Sequence, residues 1–116
     1  MRRRRSLTVN VRLYILQRVT AVVMVPLVLG HLVVIYYATS RGLSAADILG
    51  RTRDSFGWGA FYAAFVVAAA THGAIGVRAV ASEWTGLRGR RLDFLMWGVG
   101  LVLAGLGLRA VVAVVL

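Results

Sequence analysis

Three long apolar segments constrain the fold of this chain more than any other feature. They cover about residues 19–39, 57–81 and 94–116. Each approaches or exceeds the roughly 20 residues that a helix needs to cross the hydrocarbon core of a bilayer. With 59% hydrophobic residues, the chain is too apolar for an ordinary soluble domain. The sequence therefore predicts an all-α integral membrane protein with three transmembrane helices.

Small side chains are frequent in all three segments, and in membranes they allow helices to pack closely. In the third segment, Gly100 and Ala104 have the spacing of such a packing face. A bundle of three short spans buries little surface of its own. We therefore expect residues 1–116 to form a single membrane domain that joins a larger helical bundle with a companion subunit.

The arginines indicate how the chain crosses the membrane. All fourteen basic residues are arginine, and the formal net charge is +10. Arg41, Arg51 and Arg53 lie in the first loop, whereas most of the others lie before the first span or between the second and third. The positive-inside rule then places the N-terminus in the cytoplasm and the C-terminus outside. Nucleic-acid binding is not expected, because the arginines do not alternate with aromatic residues on a soluble module.

The segments around the first span carry further signals. Residues 1–18 form a basic lead-in, which we expect to lie at the cytoplasmic headgroups and to be helical from about Val11. The following apolar run is too long for the core of a cleaved signal peptide, so it is interpreted as a true span. Pro26 is expected to kink that span. Ser44, three residues before Asp47, predicts the start of a short surface helix.

His72 lies deep inside the second span, where an imidazole without a partner costs several kcal/mol. Ala68, His72 and Gly76 are four residues apart and share one helix face. Two interpretations stay open. The small neighbours could let a flat macrocycle lie close to the helix, with the imidazole as axial ligand. Alternatively, they permit tight helix contact, and His72 forms a hydrogen bond across the interface.

Metal chemistry is limited by the ligands available. The chain has no cysteine, which excludes thiolate zinc sites, iron–sulfur clusters held by this chain and cysteine-attached haem. His31 is the only other histidine. We place it roughly 8 Å from the level of His72 along the bundle, too far for both to bind one iron. His31 therefore needs a ligand partner from elsewhere or a hydrogen bond, for example to a carbonyl freed by Pro26.

A second polar group lies at the inner ends of the first two spans. It comprises Gln17, Arg18, Thr20, Arg78, Ser82, Glu83 and Trp84. Donors, an acid and an aromatic ring at one depth suit a quinone head group, whose carbonyls accept hydrogen bonds and whose reduction consumes protons. The same residues also suit an interfacial belt that faces phospholipid headgroups, and the sequence leaves both interpretations open.

Three stretches of this chain resemble the small membrane-anchor subunits of succinate dehydrogenase, the succinate:quinone oxidoreductase of respiratory complex II. They are Gln-Arg-Val-Thr-Ala at 17–21, His-Gly-Ala-Ile-Gly-Val-Arg at 72–78, and Glu83-Trp84. The similarity covers most of the chain from Leu13 onward, although the third span matches only in character. In that family, a histidine followed by glycine four residues later and by an acidic and an aromatic residue eleven and twelve later is distinctive.

The resemblance implies that His72 is an axial ligand of a b-type haem held between two anchor subunits. It also implies that Arg18, Glu83 and Trp84 lie at a quinone pocket, for ubiquinone or menaquinone, that faces the iron–sulfur subunit. Gln17 and Arg78 are assigned to that pocket or to the haem propionates. His31 is a candidate ligand for a second haem. The chain would then tether the flavoprotein and iron–sulfur subunits and support electron transfer from succinate to quinone.

Two departures leave the type of anchor open. The cytochrome b anchor usually has a histidine and a serine ahead of the arginine in the first span, where this chain has Gln17 and Tyr14. The smaller hydrophobic anchor usually ends its motif with Asp-Tyr rather than Glu83-Trp84. A bacterial cytoplasmic membrane is the predicted location, in preference to the mitochondrial inner membrane. The alternatives are a fumarate reductase anchor, a haem-free scaffold and a small proton- or ion-translocating protomer.

Overall fold

The computed structural model describes residues 2–116, with side chains from Val11 onward. It contains α1 (Arg2–Ser40), α2 (Ala45–Thr52), α3 (Phe56–Thr85) and α4 (Arg90–Val115). Between residues 2 and 116 there is no strand. Three stretches, Val11–Ser40 in α1 and the whole of α3 and α4, are long and apolar enough to span a membrane. The prediction of an all-α integral membrane protein with three spans is confirmed.

The long helices extend beyond the apolar segments that predict them. α1 begins at Arg2, nine residues before the expected start at Val11, and runs through Pro26 without ending there. α3 continues to Thr85, so charged residues at its end remain helical. Backbone hydrogen bonds along a helix do not require apolar side chains, so hydropathy marks the part of a helix that suits lipid rather than the ends of the helix.

α3 is the central helix, and it packs against α4 on one side and α1 on the other. The protein core between these helices is small. Its buried apolar residues are Ala68, Ala70, Ala74, Ile75 and Leu92, whereas most leucine, valine and isoleucine side chains between 11 and 116 face outward. Such an apolar exterior is suited to lipid and to further transmembrane helices, as expected for a chain that joins a larger bundle.

Glycines of α4 allow its backbone to approach α3 closely. A Cβ atom added at Gly100 would lie 3.3 Å from the Cβ of Ala74. At Gly107 it would lie 2.6 Å from Cγ1 of Val66, which is closer than two non-bonded carbon atoms can approach. The predicted packing role of Gly100 is confirmed. The backbones of α3 and α4 leave even less room for a side chain at Gly107 than at Gly100.

The short helix α2 lies at the end of the bundle that we call the outer end. Ser44 and Asp47 form a capping box, in which each backbone N–H donates to the other side chain, at 3.0 and 3.2 Å. The backbone N–H and the hydroxyl of Ser44 hold the pKa of Asp47 below its usual value, so the cap is present at neutral pH and is lost as the pH falls through that lowered pKa. Thr52 donates to the carbonyl of Val114 at 2.7 Å, which ties α2 to α4. The predicted surface helix is confirmed.

A tight turn joins α3 to α4 at the opposite, inner end. Gly86 and Gly89 both have φ of +71°, a left-handed conformation that residues with a Cβ seldom adopt. Gly86 ends α3, and Gly89 precedes Arg90, the first residue of α4. The turn therefore sets α3 and α4 side by side in antiparallel orientation.

Candidate functional site

The imidazole of His72 lies in the seam between α1 and α3. Its Nδ1 atom is 3.3 Å from Oγ1 of Thr20, a residue of α1 that is only 8% exposed. Thr20 Oγ1 is also 2.8 Å from the carbonyl oxygen of Leu16 and 3.0 Å from that of Gln17. The polar contact expected for an imidazole in a membrane helix is therefore made, and its partner belongs to the same chain.

The second nitrogen of His72 is in a different situation. Nε2 has no hydrogen-bond partner among the described residues, yet protein atoms do not enclose it completely. No three histidine or acidic side chains cluster as a metal site between residues 11 and 116. A metal bound at Nε2 would therefore take its other ligands from a macrocycle or from another subunit.

The small residues around His72 are covered by helices of this chain. Ala68 is only 6% exposed. A Cβ atom added at Gly76 would lie 3.6 Å from the amide nitrogen of Gln17, and one at Gly73 would lie 3.0 Å from Leu103. The small residues of this face therefore pack against helices of this chain, and Nε2 of His72 is the side from which a macrocycle could approach.

His31 occupies the same face of α1 as Thr20 but lies three turns further toward the outer end. Eleven residues separate the two, a distance of about 16 Å along the helix. Its ring centroid is 5.9 Å from that of Tyr62 and 5.4 Å from that of Phe65, and its Nδ1 atom is buried with no hydrogen-bond partner. The expected hydrogen bond is therefore not formed at this nitrogen. The separation of the histidines is about twice the distance expected from the sequence.

Gln17 provides a buried polar group close to His72. Its amide nitrogen lies against Gly76, and its Oε1 atom is buried without a hydrogen-bond partner. A buried acceptor without a donor costs about 1–3 kcal/mol. The position is therefore one at which a donor from a ligand or a neighbouring subunit would be stabilising.

Arg18, Glu83 and Trp84 are exposed and do not meet within this chain. Arg18 is two residues before Thr20, which places it on the opposite side of α1, and its guanidinium carbon lies 5.3 Å from the ring centroid of Tyr14. The pairing of Thr20 with His72 sets the register of α1 on α3. In that register, Glu83 and Trp84 lie about 14 Å closer to the inner end than Arg18.

Arg78 faces α4 rather than α1. Its Nη2 and Nε atoms each donate to Oδ1 of Asp93 at 3.4 Å. The side chain of Arg78 is 18% exposed and that of Asp93 is 53% exposed, so water weakens the pair. Arg78 therefore links α3 to α4 and lies away from the seam that holds His72 and Gln17.

Sequence reasoning missed two features of this region. It placed Thr20 at the inner end of α1 without predicting its contact with His72. It also gave no signal for an apolar cavity of about 460 Å³ between the three long helices, with Leu13, Ala74 and Trp97 among its lining residues. The cavity is formed by parts of three helices, and no local pattern marks such a space.

These features define a three-span membrane protein with one partly satisfied imidazole between α1 and α3 and with Gln17, Arg18, Arg78 and Glu83 toward the inner end. Residues 2–108 match the sequence model of the succinate dehydrogenase/fumarate reductase transmembrane subunit. Because this match covers nearly the whole chain, the protein belongs to that family, and the resemblance found in the sequence is confirmed. No match to an individual characterised protein or to a solved structure was found.

Proposed function

We propose that this chain is a membrane-anchor subunit of succinate dehydrogenase that binds b-type haem and quinone together with a second anchor subunit. It tethers the flavoprotein and iron–sulfur subunits, which oxidise succinate. The observation that carries the proposal is His72, whose Nδ1 is held by Thr20 while Nε2 has no partner among the described residues. Family membership supports the tethering role.

His72 fits an axial ligand of haem. A bound haem supplies one-electron redox chemistry, and in this chain His72 binds it while α1 holds the imidazole in place. Any further protein ligand to that haem would have to come from the partner anchor, because His31 lies about 16 Å along α1 from the level of His72. If the complex of this chain holds a second haem, His31 is its ligand toward the outer end.

Quinone binds toward the inner end, where the chain offers a donor, a buried acceptor and an acid. Arg18 donates to a quinone carbonyl, the buried Oε1 atom of Gln17 accepts from a quinol hydroxyl, and Glu83 relays protons. Trp84 is 83% exposed and supplies an aromatic wall. Because Arg18, Glu83 and Trp84 do not meet in the isolated chain, the other subunits complete the pocket.

Arg78 has a supporting role in this proposal. Its ion pair with Asp93 fixes the inner end of α3 against α4, and its other N–H groups can donate to a haem propionate or a quinone oxygen. The arrangement holds the end of α3 that carries Glu83 and Trp84 in position.

Purification of the complex through a tag on this chain tests the proposed function. We expect a flavoprotein, an iron–sulfur protein and a second anchor to copurify, with a b-type band in the reduced-minus-oxidised absorption spectrum. A complete complex without that band would support a haem-free anchor. Copurification without a flavoprotein would contradict the proposal. The ratio of succinate oxidation to fumarate reduction by the purified complex distinguishes a succinate dehydrogenase from a fumarate reductase.

Replacing Arg18 with leucine is expected to lower quinone reduction about tenfold or more, because a hydrogen bond from a charged donor contributes about 1.5–3 kcal/mol. Succinate oxidation by an artificial dye should be unchanged, since the dye takes its electrons before the quinone pocket. Arg12→Leu removes another exposed arginine of α1 and serves as the matched control. Equal losses of both activities in Arg18→Leu would exclude Arg18 from the pocket.

The proposed location is the cytoplasmic membrane of a bacterium, with the N-terminus in the cytoplasm. Most arginines lie in the N-terminal segment and around the α3–α4 turn, which the positive-inside rule places on the cytoplasmic side. An N-terminal tag should resist protease added to intact cells. Its rapid digestion there would reverse this topology.

A further inference from the structure

The hydroxyl group of Thr20 has one hydrogen and three polar neighbours. The carbonyl oxygens of Leu16 and Gln17 are 2.8 and 3.0 Å away, whereas Nδ1 of His72 is 3.3 Å away. Threonine in a helix commonly donates to the carbonyl three or four residues earlier. The hydroxyl hydrogen therefore points to the backbone of α1, and a lone pair of Oγ1 faces His72.

This direction determines the tautomer of His72. A neutral imidazole carries its hydrogen on one nitrogen and a lone pair on the other. Because Oγ1 of Thr20 presents a lone pair, Nδ1 carries the hydrogen and donates it. The lone pair of the imidazole is then on Nε2, the nitrogen that has no partner among the described residues.

We propose that Thr20 is a positioning residue that fixes the tautomer and orientation of His72 for metal ligation through Nε2. The inference rests on the proposed function, in which His72 ligates haem. Hydrogen bonds from a ligating histidine to an outer partner fix its ring and increase its basicity. A more basic imidazole favours the ferric over the ferrous state, so Thr20 lowers the reduction potential of the haem.

Two features make this hydrogen bond effective. Thr20 is only 8% exposed, so water does not compete strongly for the Nδ1 hydrogen. The carbonyl of Leu16, the hydroxyl of Thr20 and the imidazole also form a chain of hydrogen bonds, in which each bond polarises the next. The ligand on α3 is thereby coupled to the backbone of α1.

Thr39 provides a matched control within the same helix. Its hydroxyl makes the same backbone contacts, at 2.8 Å to the carbonyl of Ile35 and 3.1 Å to that of Tyr36, but it contacts no histidine. Thr39→Val and Thr20→Val therefore remove equivalent backbone contacts from α1. The two variants differ in whether an acceptor for His72 is lost.

The test compares Thr20→Val, Thr20→Ser and Thr39→Val in the purified complex, with haem per flavin, redox titration of the b-type band and the electron paramagnetic resonance of ferric haem as readouts. For Thr20→Val, we expect haem affinity to fall about tenfold or more. The potential should rise by about 59 mV for each tenfold change in the preference for ferric haem. Thr20→Ser keeps an acceptor and should resemble the wild type, as should Thr39→Val.

The outcomes separate this inference from the proposed function. Wild-type haem content, potential and resonance in Thr20→Val, combined with loss of haem in His72→Ala, would overturn the role of Thr20 and leave ligation by His72 intact. Full haem content in His72→Ala would overturn both. If Thr20→Val does not assemble, Thr20→Ala removes the same acceptor without adding bulk, and an unchanged potential in that variant would also overturn the inference.

Discussion

Replacing His72 with alanine is expected to remove nearly all of the haem proposed at His72 from the assembled complex while the three helices remain inserted. The substitution deletes an imidazole that no other described residue can replace, because His31 lies about 16 Å along α1 from this level. Alanine is also a strong helix former, so α3 should persist. Haem per flavin, measured on the purified complex, is the readout.

His31→Ala is the matched control for that experiment. It removes the other imidazole of this chain from an aromatic environment of Tyr62 and Phe65, at a different depth in the membrane. If the complex holds one haem, His31→Ala should keep it. If it holds two, this variant should lose the outer one alone. Full haem content in His72→Ala would contradict ligation by His72.

The second large effect is expected at Gly107, where α4 approaches α3 too closely to leave room for a Cβ atom. In Gly107→Ala, the new Cβ atom would lie 2.6 Å from Cγ1 and 2.8 Å from Cγ2 of Val66. Valine has one strongly preferred rotamer in a helix, so Val66 cannot turn aside and the helices must move apart. Overpacking of this kind costs about 1–3 kcal/mol, and we expect a lower thermal stability and a lower amount of assembled complex.

Gly105→Ala isolates that clash from the intrinsic effect of alanine. Gly105 lies two residues earlier in α4, and a Cβ atom added there meets nothing within 4 Å. Both substitutions increase helix propensity by about 1 kcal/mol in peptides, so the difference between the variants reports the contact with Val66. Equal thermal stability of the two variants would show that this contact does not limit the approach of α4 to α3.

The three spans and the short helix α2 could be predicted from the sequence because their signals are local. Twenty consecutive apolar residues suit a membrane helix whatever surrounds them. Ser44 and Asp47 likewise cap α2 through contacts three residues apart in the chain. The helix ends were predicted less well, since α1 continues to Arg2 and α3 to Thr85 through polar residues that hydropathy does not register.

The candidate site could be predicted only in part. His72 stands out in the sequence because an ionisable side chain in an apolar span is rare. Its contact with Thr20 could not be predicted, because long helices that are apolar on all sides carry no pattern that fixes their register. The orientation of Arg78 toward Asp93, and of Arg18 away from α3, depends on the same register.

The sequence by itself determined that the chain crosses a membrane three times, that small residues allow its helices to pack, and that one imidazole needs a partner. Hydrophobicity, side-chain size and capping act over a few residues, so they can be deduced directly from the sequence. Only the tertiary structure decided that α3 is central, that Gly107 meets Val66, and that Thr20 meets His72. Those outcomes depend on how side chains of distant segments fit together, because hydrophobicity does not select one register over another when lipid surrounds every helix.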